Sequence, residues 1–508
     1  MEDSVIKNAS RMQRWEMPQL RKSLCLFCSL GCGLAFRMDG EQVKEIDYDK
    51  ENPINRGALC ARGYYNLELL NHPQRLSVPQ IGSQPISWNE AFALINSRLK
   101  QVDPETVGIL ISALASNEEA YLAAKLAKTI GVKNISAAGE PADLEAYKGW
   151  RWEVPTASFG KVEGIDSAES LLIIGDILTR SPVLSRRVNR VKYNKRSNKI
   201  IVVDPNPSHS SWFATQHLQI KPGTEALVLA ALVKIIADNR KQPSLKVDLE
   251  KICRITGISP EALIRAAKEF DAAASGYIIF VPSENKQRND LIAYLCKILT
   301  ALSENKKYLT FYTQGNHLGV NLVLDQMVER RSDYEEIMKK AEKGKIKNLL
   351  LLGDSFFGEG DKGEQSLRQV EFLALASYFP VQALGPTTLL LPLASYLEEG
   401  GSYILADGRR EQHQAVVAPV GAKSNLAILA ELLNIRLSEE REKICMHAEE
   451  LIAKGMPREK VDLQAKLFEV TEIVPQPEYP LEEVFHFGQS RWVNKFFWHR
   501  LNSEGIKT

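Results

Sequence analysis

Cys25-Leu26-Phe27-Cys28-Ser29-Leu30-Gly31-Cys32, answered much later by Cys60, forms a C-x2-C-x3-C-x27-C array that decides how the first part of this chain folds. Three closely spaced thiolates each take one corner of an iron–sulfur cube, and a distant fourth closes the remaining corner. Four cysteines also suit a tetrahedral zinc ion, but structural zinc sites come as two short knuckles of paired ligands, whereas this array is three plus one. Gly31 and Gly33 flank Cys32, and Gly57 and Gly63 bracket Cys60, which suits loops folding tightly round an inorganic cube. The spacing predicts one [4Fe-4S] cluster on Cys25, Cys28, Cys32 and Cys60, and therefore an electron carrier. Cys253, Cys296 and Cys445 stand apart in apolar or helical surroundings and read as buried, inert thiols.

Around this array the chain is ordinary for a globular protein: 508 residues, 44% hydrophobic and 25% charged, enough for two to four domains. A formal net charge of +1 gives no general electrostatic case for a nucleic-acid or anionic-membrane partner. Apolar runs such as Val107–Leu114 are far shorter than the ~20 residues of a spanning helix, so no direct membrane insertion is expected. Met1–Leu20 has scattered charges and no apolar h-region, which argues against a secretory or twin-arginine signal. An oxygen-sensitive cluster with three further unpaired cysteines predicts a reducing cytoplasm.

Beyond the cysteines, β-rich apolar runs alternate with helical patterns, beginning with Val107–Ser112 and Glu118–Ile130. Leu171–Ile174 runs into Gly175-Asp176, Lys199–Val203 into Asp204-Pro205, and Asn348–Leu352 into Gly353-Asp354, while Tyr277–Val281 repeats the pattern. Such strands, separated by helices, predict an α/β fold with doubly wound parallel sheets. Ligands of these folds bind at the carboxyl ends of the strands, so Asp176, Asp204 and Asp354 are placed to accept hydrogen bonds from a nucleotide. Taken singly, each reads as readily as a turn or helix N-cap.

The order of segments makes a resemblance specific. The cysteine array continues into Gly63 and Asn71-His72-Pro73-Gln74-Arg75-Leu76, then Asn117-Glu118-Glu119 with Tyr121 and Lys125-Leu126-Ala127. Further on come Gly175-Asp176 with Pro182-Val183-Leu184, Val203-Asp204-Pro205, Lys221-Pro222-Gly223-Thr224, Gln314-Gly315-Asn316, Leu391-Pro392 and Gly401-Ser402-Tyr403 with Arg410 and Gln412. Over about residues 20–435 this sequence resembles the molybdopterin oxidoreductase family. The resemblance implies a cluster domain at 20–80, an α/β domain from 81–134 plus 341–437, an inserted α/β domain at 135–340, and a C-terminal segment at 438–508. It also implies that Arg62, Gly175, Asp176, Asp204, Gly223, Thr224, Gly353 and Asp354 are the positions that would meet a molybdopterin guanine dinucleotide.

Two departures limit what carries over. Formate dehydrogenases of the family bind molybdenum or tungsten through a Cys or selenocysteine shortly after the segment matching Gly131–Asn134. Here that position falls on or near Ala142, in Ile135-Ser136-Ala137-Ala138-Gly139-Glu140-Pro141-Ala142-Asp143, and the partner His is missing too. The soft thiolate that such a metal prefers is absent, and Asp143 in a Pro-Ala-Asp-Leu-Glu context reads more simply as a helix N-cap or first-turn residue. The second departure is length, since about 75 residues follow the second α/β domain where the family supplies a closing barrel. Both departures resemble the molybdopterin-like domain in the large iron–sulfur subunit of respiratory complex I, in which the fold persists as scaffold. Arg62 replaces the Lys that catalytic members place between cluster and pterin; its fork suits a phosphate, a carboxylate or an interdomain salt bridge.

These readings converge on an expectation. The chain would be an electron-transfer subunit of a multisubunit oxidoreductase, with flavin or iron–sulfur partners and NADH or ferredoxin as ends of the carrier chain. The enzyme alternative is a compact formate dehydrogenase-like subunit holding molybdenum or tungsten through pterin thiolates alone; a third is a cluster-free structural subunit. Ser438–Ala453 reads as a helix, and the aromatic run Arg491–Leu501 reads as a stripe that docks on its own body or on a partner.

Overall fold

The computed structural model describes residues 20–460 apart from 101, 155, 284, 304, 354–365, 382–386 and 456–459. Asp354 and the aromatic run Arg491–Leu501 lie outside the described residues. The chain opens with a three-stranded antiparallel sheet, β1 (Leu20–Leu24), β2 (Gly33–Asp39) and β3 (Gln42–Asp47), whose β1–β2 connection carries three of the cysteines. The fourth, Cys60, is the N-cap of α1 (Ala61–Asn71).

Next come β4 (Gln80–Ile81), β5 (Gln84–Pro85), β6 (Val107–Ser112), α2 (Asn117–Ile130), β7 (Ile135–Ala138) and α3 (Pro141–Arg151). Every residue of β6 is buried, as a central parallel strand covered on both faces requires. A capping box fixes the start of α2: Glu119 N–H donates to Ser116 Oγ at 3.1 Å, and Ser116 N–H donates to Glu119 Oε2 at 2.7 Å. Gly131, left-handed at φ 75°, ends it.

The chain then builds a five-stranded parallel sheet from β8 (Ser170–Ile174), β9 (Lys199–Asp204), β10 (Gln216–Gln219), β11 (Gly276–Phe280) and β12 (Lys306–Thr310). Between β8 and β9 lies α4 (Ser185–Asn194). Its order is β10-β9-β8-β11-β12, so the winding direction reverses between β8 and β11 and opens a crevice at their carboxyl ends. The chain returns to the first sheet with β13 (Asn348–Leu352), β14 (Phe372–Ser377) and β15 (Thr387–Pro392), giving the order β5-β4-β15-β14-β13-β6-β7. This sheet includes β7, which a boundary at residue 134 would cut away, because Ile109 to Ser112 pair in parallel with Ile135 to Ala138.

A hairpin of β16 (Gly401–Ile404) and β17 (Arg410–His413) and a final helix, α5 (Leu437–Ala453), complete the described chain. Among the described residues no barrel follows the second sheet. One apolar core runs from Leu26 and Phe36 in the cysteine domain through Ile109 and Leu172 to Leu429. Main-chain bonds strap the cysteine loop to that body: Gly315 N–H donates to Leu26 O at 2.8 Å and Ala406 N–H to Ser29 O at 2.9 Å.

Candidate functional site

The four thiols converge. Cys25, Cys28, Cys32 and Cys60 line one cavity together with Phe27, Leu30, Leu59, Arg62, Ser181 and Val183. Local geometry explains how. Cys25 N–H donates to Cys32 O at 2.8 Å and closes the loop on itself. Gly31 turns the chain at φ 66°, where any side chain would be strained and would collide with Leu405. Cys60 sits at the amino end of α1, whose unpaired N–H groups favour negative charge beside it.

The thiols are desolvated and feel one another. Burial first, then the nearby Cys60 and Cys28, pushes Cys25 up to about 12. Cys32 is raised well above its ordinary value by burial and by the other three thiols, with Arg62 opposing. Buried thiols such as Cys25 and Cys32, raised in this way, ionise readily only against positive charge placed beside them, which is what iron supplies. The donor set, four thiols lining one cavity, fits an iron–sulfur cube. Hydrogen bonds to sulfur complete the wall: Asn66 Nδ2 donates to Cys25 Sγ at 3.5 Å and Ser181 Oγ to Cys28 Sγ at 3.6 Å. Tyr396 holds Asn66 by donating its hydroxyl to Oδ1.

Arg62 lines this cavity, buried, and its guanidinium donates to the carbonyls of Phe27 and Arg180. Through these carbonyl contacts it straps the cysteine loop to the segment that follows β8. Asn66, Ser181 and Tyr396 escaped sequence reasoning altogether, because only tertiary packing brings them to the sulfurs. Cys296 is buried, whereas Cys253 and Cys445 are half-buried, so two of the three spare thiols are less enclosed than expected.

The strand-end residues form two separate groups. In the five-stranded sheet, Gly175 follows β8, and a Cβ there would lie 2.9 Å from Lys286 Nζ. Asp176 caps the short helix Ile177–Arg180 and accepts from Leu178 N–H, Thr179 N–H and hydroxyl, and Ser210 N–H and hydroxyl. Asp204, buried at the end of β9, accepts from Asn206 N–H at 2.9 Å, and burial raises its pKa against the opposing charge of Lys286. Gly223 is left-handed at φ 77° against Gln287, and the Thr224 hydroxyl donates to Lys221 O at 2.7 Å. Glu225 lies fully buried beside this group, raised to about 7 chiefly by burial, with Lys286 opposing.

In the seven-stranded sheet, Gly353 at φ 119° faces Ser112 across the β13–β6 crevice, where a Cβ would come within 2.6 Å of the serine Cβ. The cavity beneath them is lined by Glu119, Tyr378, Glu399 and Tyr403. Burial drives Glu119 up to about 7, with Glu399 adding to the effect. Ala142 lies buried in the first turn of α3. Next to it, Asp143 accepts from Thr313 N–H at 2.7 Å and from the Thr313 hydroxyl, and burial lifts it to about 6 with Arg180 opposing. The N-cap of α3 is Glu140, so Asp143 is a first-turn residue tied to Thr313 and not a cap.

Comparison with known proteins follows this geometry. Residues 18–72 match the molybdopterin oxidoreductase Fe4S4 domain, and residues 75–435 match molybdopterin oxidoreductase. The chain is 25% identical over 475 residues to NADPH-Fe(3+) oxidoreductase subunit alpha of Geobacter sulfurreducens, covering 82% of this chain and 56% of that protein. It is 28% identical over 282 residues to F420-dependent formate dehydrogenase 1 subunit alpha of Methanococcus maripaludis, covering 51% of this chain and 42% of that one. The chain thus spans about half the length of the curated relatives it matches. Acetylene hydratase from Pelobacter acetylenicus shares the fold, with a TM-score of 0.65 at 16% identity, covering 91% of this chain and 80% of that structure.

Proposed function

The chain belongs to the molybdopterin oxidoreductase family and carries its Fe4S4 domain, and from that premise we propose that it is an electron-transfer subunit. In this reading Cys25, Cys28, Cys32 and Cys60 hold one [4Fe-4S] cluster, and the α/β body serves as scaffold and not as a catalytic centre. The observation that carries it is a contrast in donors. The four thiols face one shared cavity, whereas by sequence count the family's metal-ligand position falls on or near Ala142, where no thiol stands, and the neighbouring Asp143 accepts from Thr313.

The strand-end residues do not fit a pair of pterin dinucleotides. Asp176 and Thr224 are committed to the chain's own hydrogen bonds. The body therefore supplies rigidity and burial. Asn66 and Ser181 supply hydrogen bonds to sulfur, and Leu26, Phe27 and Leu30 exclude water, the features by which a protein sets a cluster's potential.

A second reading rests on Asp143, whose Oδ1 is buried with no hydrogen-bond partner. That free oxygen is a carboxylate oxygen a metal could use; the compact, formate dehydrogenase-like alternative would otherwise hold its metal through the pterin thiolates alone. Relatives named as alpha subunits of oxidoreductases support redox partner chains; in the electron-transfer reading the partners carry flavin or iron–sulfur clusters and link the chain to NADH or ferredoxin. No helix among the described residues is long and apolar enough to cross a membrane, which agrees with a cytoplasmic place for this subunit. Electron paramagnetic resonance of anaerobically purified, dithionite-reduced protein tests the reading. A reduced-cluster signal together with no molybdenum or tungsten by elemental analysis upholds it; absence of any cluster signal removes it.

A further inference from the structure

We propose that the exposed basic face of α4, with Arg56 beside it, is the docking surface for an acidic one-electron carrier protein. The proposal rests on the reading that the four cysteines hold a cluster. The chain as a whole is balanced, with 64 basic and 63 acidic residues, yet seven of the fifteen residues from Ser185 to Lys199 are Lys or Arg and none is Asp or Glu. Arg186, Arg190, Lys195 and Arg196 are exposed, and Arg56 of the cysteine domain is exposed next to them. The carboxylates that meet this group are few. Asp166 faces Arg56 at 3.1 Å, Arg187 at 2.9 Å and Arg190 at 2.7 Å, while Glu169 pairs with Lys195 and Glu269 with Lys199. The surface stays strongly cationic.

Its position ties it to the thiols. Val183 lines both the thiol cavity and the arginine-lined cavity, and exposed Pro182 also lines the thiol cavity. Ser181, one residue earlier, donates to Cys28 Sγ. The patch thus begins about one helical turn from a ligand sulfur. Two large aromatic rings stand out of the same region: Tyr193 is 72% exposed and Trp212 70%. Lys192 lies over the rings of both Tyr193 and Phe213, which sets the Trp212 segment beside α4. Arg, Tyr and Trp are the residues that concentrate binding energy at interfaces. A cationic rim next to a thin wall over a redox centre suits a small, negatively charged carrier that binds briefly and is steered by charge.

The test uses the full chain with its cluster and two probes, an acidic bacterial two-[4Fe-4S] ferredoxin and basic cytochrome c. Iron content is measured on every sample, so loss of the cluster is separated from loss of the surface. Binding of the ferredoxin and the rate of electron transfer to it should each fall at least about tenfold in Arg186→Glu/Arg190→Glu/Arg196→Glu, and in the wild type between about 20 and 300 mM salt. Transfer to cytochrome c should rise in the same variant. Arg186→Gln/Arg196→Gln, which only removes charge at exposed positions, should show a smaller change of the same sign. Unchanged ferredoxin binding in both variants overturns the proposal, as does tighter, arginine-dependent binding of a single-stranded RNA. Anaerobically purified wild type that carries no iron yet binds ferredoxin through these arginines would keep the surface and count against the cluster reading alone.

Discussion

The cysteine loop and the strand ends of the α/β body have the same kind of raw material, glycines at turns and polar side chains at the mouths of elements, yet use it in opposite ways. In the loop the thiols turn inward to a common cavity. At the strand ends the side chains are drawn into the fold itself: Asp176 fastens Thr179 and Ser210, and Thr224 fastens Lys221. A buried polar group costs free energy unless it is bonded. Asp176 and Thr224 are satisfied within the fold in this way, whereas Asp143 Oδ1 and both carboxylate oxygens of Glu225 stay buried without a hydrogen-bond partner.

The largest expected effect breaks the loop side of this contrast. Cys60→Ala should abolish or convert the cluster, read as loss of visible absorbance and iron, whereas Cys296→Ala, buried and remote in the sequence, should leave iron unchanged. Equal loss in both would show that the thiols do not form one site. The converse change on the strand-end side is Asp176→Ala. It removes a helix cap and the bonds to Ser210, so it should lower stability by roughly 2 kcal/mol in denaturant unfolding without altering iron content.

Fold and thiols were legible in the sequence for the same reason: both are written in local spacing. Val107–Ser112 and Asn348–Leu352 are strands to the residue, and the helices read at Glu118–Ile130 and Ser438–Ala453 begin one residue earlier than their patterns. The aspartates after β8 and β9 were correctly placed at strand ends. Their commitment was hidden, because the Ser210 that occupies Asp176 lies 34 residues away and reaches it only through the winding of the sheet. The same holds for Arg62, whose acceptor Arg180 is 118 residues distant.

A smaller effect concerns pH. Glu119 and Glu225 are both raised from 4.5 to about 7, mainly by burial. Between those values the folded chain binds more protons than the unfolded one, so stability should fall as pH rises from 4.5 to about 7 and level off above. Glu225→Gln should flatten this slope in a series of thermal unfolding scans; an unchanged slope would show that the group is not desolvated in solution. The smallest expected effect sharpens the loop side. Asn66→Leu deletes a donor to Cys25 Sγ and should make the cluster potential more negative, by less than the ~60 mV of a tenfold one-electron change, with iron retained.

Metal and nucleotide analysis of anaerobically purified chain addresses the contrast most directly. About four iron atoms per chain are expected, with neither molybdenum, tungsten nor a guanine dinucleotide. Stoichiometric molybdenum or tungsten accompanied by a bound guanine dinucleotide would contradict it.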